Sequence, residues 1–175
     1  MRLFHAPLIC ATVLLGACSA HADTRAASAP SDTTVTMQRS TCYGTCPSYT
    51  VTVSSDGQVK FDGHLHVRTD KASGRVAPER VANILAAVEQ AGFRTLKDSY
   101  TNQDDGCAQT MTDMPGVKIT VADTSGSKTV DFYYGCTGGV ADTVKPRIDQ
   151  LAKTIDQQLD TARWIGKPAA GAADR

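Results

Sequence analysis

Two closely spaced cysteines in the segment STCYGTCPSYTVTV, residues 40–53, are the first candidates for chemistry in this chain. Cys42 and Cys46 are separated by three residues, and Pro47 and a strand-like alternation follow them. A redox-active dithiol normally has two intervening residues and lies at the start of a helix, which stabilises the thiolate. No helical pattern follows here. We therefore predict a disulfide loop that fixes the entry to a strand, with thiol–disulfide exchange through Cys42 and Cys46 as the alternative.

A histidine pair is the second candidate. His64 and His66 lie two residues apart on a predicted strand, so both side chains would point to one face, where they could chelate a metal. No third ligand accompanies the two histidines. The cysteines also lack the short spacing that is typical of a zinc site. We interpret the pair as a solvated strand face and expect no metal and no other cofactor.

Acidic residues in NQDDGCAQTMTD, residues 102–113, are the third candidate. Asp104 and Asp105 could bind calcium or act as acid and base, but their spacing matches no calcium loop, and Asn, Asp and Gly are typical of turns. We predict a turn and assign no catalytic residue. The alternative is an envelope hydrolase or metal-dependent enzyme that uses Asp104 and Asp105 together with His64 and His66.

The start of the chain, residues 1–18, has the layout of a secretory signal peptide, because Arg2 precedes an apolar run and small, polar residues follow it. The apolar run is also too short to be a membrane-spanning helix. LGAC matches a bacterial lipobox, in which Cys18 is lipidated and becomes the first mature residue. By resemblance to such lipoproteins, Ser19 favours the outer membrane, facing the periplasm. Cleavage after residue 22, at AHA, is the alternative and would give a soluble periplasmic protein.

Export determines the redox state of the remaining cysteines. Cys42, Cys46, Cys107 and Cys136 stay in the mature chain, and an even number in an exported protein predicts two disulfides. The chain has 18 basic and 18 acidic residues, which argues against binding to nucleic acid. We expect a lipid anchor in the membrane and another envelope protein as partner.

The periodicities predict an α+β domain over residues 34–165, after a flexible tether at 19–33 and before a disordered tail at 166–175. The order is ββαββα, with an antiparallel sheet built from two hairpins and both helices on one face. A further short strand is indicated at 35–39, before the first hairpin.

The two hairpins have predicted registers. In the first, a turn with Gly57 in the left-handed conformation pairs Val53 with Val59 and Val51 with Phe61. In the second, a turn at Ser125-Gly126 gives the pairs Val121–Val130, Ile119–Phe132 and Val117–Tyr134. Tyr133 falls on the opposite face beside Asp131, where an exposed aromatic ring would indicate a binding surface.

The two helices follow the hairpins. The first spans APERVANILAAVEQAGF and ends at Gly92, with a stripe formed by Val81, Ile84, Leu85 and Val88. The second runs from about Val140 to Leu159, and Pro146 is predicted to mark its true first turn.

Several of these segments together resemble the domain-of-unknown-function family 6438, which is common in exported lipoproteins. They are CYGTCPSYTVTVSSDGQVKFDG, AGFRTLKDSY, ID and RWI, within residues 34–164. The resemblance implies the fold and the location but no activity. It also implies the pairs 42–46 and 107–136, because Cys42 and Cys46 belong to the family pattern whereas Cys107 and Cys136 do not.

These inferences favour a non-enzymatic accessory or binding domain, of unknown ligand, held at the membrane by lipid. It would present one sheet face and the CYGTC loop to another envelope component. The absence of a nucleophile elbow, phosphate loop, dinucleotide fingerprint or zinc-protease helix from the sequence supports this choice.

The lipobox gives a direct prediction. Intact-mass spectrometry of the exported protein is expected to show a chain that begins at Cys18 and carries lipid. A chain that begins at Asp23 without lipid would instead establish cleavage after Ala22.

Overall fold

The structure, a computed structural model, describes residues 32–166. The predicted signal peptide, the lipidation site at Cys18, most of the tether and most of the tail lie outside the described residues. Within 32–166, no helix combines the length and the apolar character that crossing a membrane requires.

The described chain forms nine strands and three α-helices. The strands are β1 Thr34–Arg39, β2 Ser48–Ser54, β3 Gln58–Leu65, β4 Lys71–Arg75, β5 Ser99–Tyr100, β6 Cys107–Thr110, β7 Gly116–Asp123, β8 Gly126–Tyr133 and β9 Cys136–Gly139. The helices are α1 Pro78–Gln90, α2 Ala141–Leu159 and α3 Ala162–Ile165, and a 3₁₀ turn covers Phe93–Thr95.

Seven strands form one sheet in the order β4-β3-β2-β1-β7-β8-β5, and β6 and β9 form a separate two-stranded ribbon. All pairs are antiparallel except β5 with β8. The prediction of a mixed α+β domain is confirmed. The ββαββα order and the sheet of two hairpins are wrong, because β1 lies between the hairpins and β4 and β5 extend the sheet.

One face of the sheet carries the core. Val35 and Met37 of β1 lie opposite Val53 and Val51 of β2, and on the other side opposite Val121 and Ile119 of β7. All of these side chains are buried, and they belong to one apolar cluster with the buried faces of α1 and α2. Alternation along each strand therefore places the helices on one face and polar side chains on the other.

The first hairpin has the predicted register, and Gly57 has a φ of 84°. The second is shifted by two residues, because Val121 lies opposite Lys128 and Ile119 opposite Val130. The turn is Thr124-Ser125, and Asp123 stabilises it by accepting hydrogen bonds from the backbone and side chain of Ser125 at 2.8 and 2.5 Å. A shift of two keeps every side chain on its face.

Helix α2 begins five residues before Pro146, so the prediction that the proline marks the first turn is wrong. Ala141 and Val144 are buried, and this burial holds the turns before the proline in the helix. The Oδ1 of Asp142 also accepts the N–H of Gly138 at 2.9 Å, which anchors the start of α2 to β9.

A polar cluster joins the sheet to the end of α2. The guanidinium of Arg39 donates to Asp156 Oδ2 at 2.7 and 3.1 Å and to the hydroxyl of Tyr49 at 3.0 Å. Asp156 Oδ1 accepts from Tyr49 at 2.6 Å and from Thr161 at 2.7 Å. Every member thus has a partner, and the cluster fixes the end of β1 against α2.

Loss of this carboxylate is expected to destabilise the domain. Asp156→Ala leaves the largely buried guanidinium of Arg39 and two hydroxyls without their acceptor, so the free energy of unfolding should fall by about 2–4 kcal/mol. Urea unfolding measures the change. Lys118→Met is the control, because it breaks an exposed ion pair worth about 0–1 kcal/mol. Equal losses in the two variants would contradict a dominant role of the cluster.

Candidate functional site

The CYGTC loop connects β1 to β2 and is closed by a disulfide between Cys42 and Cys46, with the Cα atoms 5.5 Å apart. Strands flank the loop on both sides, so neither sulfur lies at a helix N-terminus. At the base of the loop, the hydroxyl of Ser48 donates to the carbonyl of Arg39 at 3.0 Å. The loop is therefore a bridged strand connection whose disulfide is half-buried.

Backbone hydrogen bonds fix the CYGTC loop to the segment before β7. The N–H of Tyr43 donates to the carbonyl of Asp113 at 2.9 Å, and that of Ser40 donates to the carbonyl of Gly116 at 3.0 Å. The N–H of Gly116 donates in return to the hydroxyl of Ser40 at 2.7 Å. The backbone of Tyr43 is held in this way while the residue is 89% exposed.

The second disulfide joins Cys107 of β6 to Cys136 of β9, and both cysteines are buried. It secures the loop that leads from β6 to β7. The hydroxyl of Tyr133 donates to the carbonyl of Met111 at 2.7 Å and accepts the N–H of Met114 at 3.1 Å. Tyr133 is therefore a half-buried support for this loop and not the exposed aromatic surface that the sequence suggested.

Tyr43, Met111 and Met114 form what we call the rim, an exposed apolar set on two adjoining loops. Met111 is 49% exposed and Met114 is 38% exposed. The bond from Tyr43 to Asp113 places the two loops side by side. Each loop is tied by its own disulfide, so the rim consists of large apolar side chains on restrained backbone.

The open sheet face, opposite the helices, is polar. Its central row runs across four strands in register, from Thr50 through Gln38 and Lys118 to Asp131. The next row contains hydroxyl pairs, with Thr36 bonded to Thr52 at 3.0 Å and Thr120 to Thr129 at 2.8 Å.

A shallow depression of about 160 Å³ lies where the rim meets this face. It is lined by Gln38, Ser40, Gly116, Val117, Lys118 and Asp131. Gly116 lies between Ser40 and Tyr133 in the cross-strand direction, and its missing side chain leaves the space open. Lys118 Nζ and Asp131 Oδ2 are 2.8 Å apart beside it.

The histidine pair does not share a strand face as predicted. His64 is on β3 and its Nε2 lies 3.1 Å from the hydroxyl of Thr50, whereas the strand ends at Leu65 and His66 has a φ of 53°. The positive φ turns the chain away before His66 reaches the strand face. Leu65 is also half-exposed, and its pairing with Ser48 lies beyond a register shift between Ser48 and Tyr49.

The acidic pair lies in a turn after β5. Asp105 Oδ2 accepts from the hydroxyl of Ser99 at 2.6 Å and from the hydroxyl and N–H of Thr101 at 2.8 and 3.1 Å. These bonds lower the pKa of the Asp105 carboxyl. It therefore stays ionised and engaged in the turn, while Asp104 is exposed.

The structure does not bring the acidic pair and the histidines together. Four strands separate β3, which carries His64, from β5 beside Asp105, a distance of more than about 20 Å. Across residues 32–166, no three His, Cys, Asp or Glu side chains are grouped so that they could hold a metal ion.

The polar cluster at Arg39 is unsuited to proton transfer near neutral pH. Burial and the neighbouring Asp156 raise the pKa of the Tyr49 hydroxyl far above its usual value. Burial lowers the pKa of Arg39, but Asp156 and Tyr49 outweigh it and the net effect raises the pKa. Tyr49 thus stays protonated and Arg39 charged, as a structural cluster requires.

Gly116, Lys118, Gln38 and Ser40 were not identified as site residues from the sequence. Each is ordinary in its local context, and the depression arises only because β1 pairs with β7 across a long stretch of chain. A glycine opening a strand was the one local signal, since glycine in a strand can mark a close approach or a cleft.

Comparison with models of protein families identifies the family of this chain. The family model described as Domain of unknown function (DUF6438) matches residues 33–159. The match ends before Trp164, which the resemblance in sequence had included. No curated protein matches the chain.

The two disulfides are expected to differ in their effect on stability. On the loop-entropy model, Cys107→Ala/Cys136→Ala costs about 3–4 kcal/mol because the closed loop is long, and Cys42→Ala/Cys46→Ala costs about 2 kcal/mol. Chemical unfolding of the two double variants measures both. A larger loss from the short loop would show that CYGTC holds more of the fold than its length implies.

Proposed function

We propose that this chain, which belongs to the DUF6438 family of domains of unknown function, is an envelope-anchored, non-enzymatic binding module. It contacts another envelope component through the rim and the adjoining open sheet face. The observation that carries the proposal is the rim itself, since Tyr43, Met111 and Met114 are exposed on loops that disulfides and hydrogen bonds restrain.

The rim has the physical properties of a recognition surface. Exposed apolar side chains on restrained backbone lose little conformational entropy on binding, so more of their burial energy becomes affinity. Aromatic residues and methionine are enriched at interfaces for their large and adaptable contact area. A polar sheet face beside them supplies hydrogen-bonding groups, as a binding interface requires.

Binding is favoured over catalysis because the candidate catalytic groups are engaged elsewhere. Asp105 holds a turn, and Asp156 is saturated by Arg39, Tyr49 and Thr161. His64 lies on β3, and four strands separate β3 from β5, which lies beside Asp105. A catalytic site would need a nucleophile or base free to meet a substrate and oriented by a neighbour.

The proposed location rests on the sequence. The lipobox provides a lipid anchor at Cys18, and the small polar residues 19–33 suit a tether that holds the domain away from the membrane. Ser19 favours the outer membrane, with the domain in the periplasm. If cleavage follows Ala22 instead, the same module is a soluble periplasmic protein.

Photocrosslinking in cells that export the full chain tests the binding role. With p-benzoylphenylalanine in place of Tyr43, we expect a discrete adduct, since Tyr43 is the most exposed residue of the rim. The same photoreactive residue at Lys153, which is exposed on α2, is the matched control and should give no such adduct. Met111→Ser/Met114→Ser should remove most of the adduct formed at position 43.

The proposal fails if position 43 gives no adduct, or if positions 43 and 153 give the same products with the same yield. It also fails if the purified protein turns over a substrate and a single Asp or His substitution abolishes that activity.

A further inference from the structure

We infer that the depression at Gly116 binds one pyranose ring of a neutral glycan. The inference rests on the proposed binding function and names the ligand of that surface. The observation behind it is the meeting of an ammonium, a carboxylate, an amide and a hydroxyl around a side-chain-free position on an open sheet face. These groups are contributed by Lys118, Asp131, Gln38 and Ser40.

The shape suits a small cyclic ligand. The depression measures about 160 Å³. A cavity of about 150 Å³ holds one benzene molecule, so the space suits a single six-membered ring and not a folded segment of chain. A Cβ at Gly116 would lie 3.3 Å from both Ser40 Oγ and the carbonyl oxygen of Phe132, and a longer side chain would project into the opening.

The lining groups match the hydrogen-bonding pattern of adjacent sugar hydroxyls. Lys118 supplies donors only, the carboxylate of Asp131 supplies acceptors only, and the amide of Gln38 supplies both. The hydroxyl of Ser40 already accepts from the N–H of Gly116 at 2.7 Å and donates to the carbonyl of Thr41 at 3.3 Å, so it offers a ligand one remaining acceptor position. Lys118 and Asp131 are direct cross-strand neighbours. Of two neighbouring hydroxyls on a pyranose, one can donate to the carboxylate while the other accepts from the ammonium.

The charge of the site favours a neutral ligand. Lys118 and Asp131 form an ion pair at 2.8 Å, so their charges cancel at short range. A phosphate would be attracted by the ammonium and repelled by the carboxylate. A metal ion would be attracted by the carboxylate and repelled by the ammonium. The two side chains are 48% and 36% exposed, and an exposed pair of this kind rearranges around a polar ligand at little energetic cost.

The rim extends the site beyond one ring. Tyr43 follows Ser40 by three residues and its side chain is exposed. An aromatic ring offers an apolar face on which the C–H surface of a sugar can pack, and its hydroxyl remains free for solvent or ligand. An oligosaccharide should therefore bind more tightly than its monosaccharide.

The test is an amide NMR titration of the ¹⁵N-labelled exported chain with glucose, cellobiose and inorganic phosphate. We expect saturable shifts with the two sugars, confined to the amides of residues 38–43, 116–118 and 131. Dissociation constants of about 1–10 mM are expected for a shallow site that holds so few ligand atoms. Cellobiose should bind more tightly than glucose, its monosaccharide, and phosphate should leave these amides unchanged.

Matched variants locate the site. Gly116→Leu fills the depression and should weaken sugar binding by at least about tenfold. Ala122→Leu adds bulk to the same face of β7, roughly 20 Å away, and should leave binding unchanged. If Gly116→Leu does not fold, Lys118→Met and Asp131→Asn test the site instead, since both alter exposed side chains. Each of these variants should weaken sugar binding several-fold.

Absence of saturable shifts with both sugars overturns the inference, as do shifts located elsewhere or a stronger response to phosphate. Unaltered binding in the folded depression variants overturns it as well. Crosslinking at position 43 is an independent measurement. If position 43 gives a discrete adduct and the sugars give no response, the proposed binding function is retained and only the glycan inference is rejected.

Discussion

Pairing of β1 on both edges is the constraint on which the rest of the fold depends. β2 lies on one side and β7 on the other, and the register places Val35 and Met37 between the apolar residues of both hairpins. Without this strand the two hairpins would be separate ribbons, each too small to hold its apolar face out of water. Because β1 joins them, one continuous core forms under α1 and α2.

The end of β1 determines where the exposed surface lies. Arg39 closes the strand and binds Asp156, which fixes the last turns of α2 against the sheet. The chain then leaves the core and forms the CYGTC loop, and its bonds to Asp113 and Gly116 bring the β6–β7 connection alongside. The rim and the depression are thus consequences of how the central strand ends.

Local pattern predicted much of the fold because side-chain alternation and turn chemistry are local. The first hairpin was correct since Val51, Val53 and Phe61 alternate around a turn that requires Gly57. In the second hairpin the same alternation tolerates a shift of two residues, and the contacts of Asp123 in the turn decide between the registers. Strand β4, KASGR, has no apolar residue larger than Ala72, so it left no signal.

The candidate site could not be predicted because its parts meet only through long-range pairing. Gln38 and Lys118 are neighbours across β1 and β7, and Asp131 reaches them through the second hairpin. The residues that looked reactive in the sequence do not form a site. His64 and Asp105 proved to be far apart, and the positive φ of His66 took it off the strand.

Burial explains why the most enzyme-like cluster in this domain is structural. Arg39, Tyr49 and Asp156 have the residue types of an acid–base site, but burial and the charge of Asp156 raise the pKa of Tyr49. For Arg39 burial lowers the pKa, and the neighbouring Asp156 and Tyr49 outweigh it, so the net effect raises the pKa as well. A group that transfers protons needs a pKa near the working pH and an open position for substrate. Lys118 and Asp131 differ in that solvent reaches both, so a ligand can replace part of their ion pair without leaving a buried charge unpaired. The groups that hold the core and those that would meet the proposed ligand therefore lie on opposite faces of the same sheet.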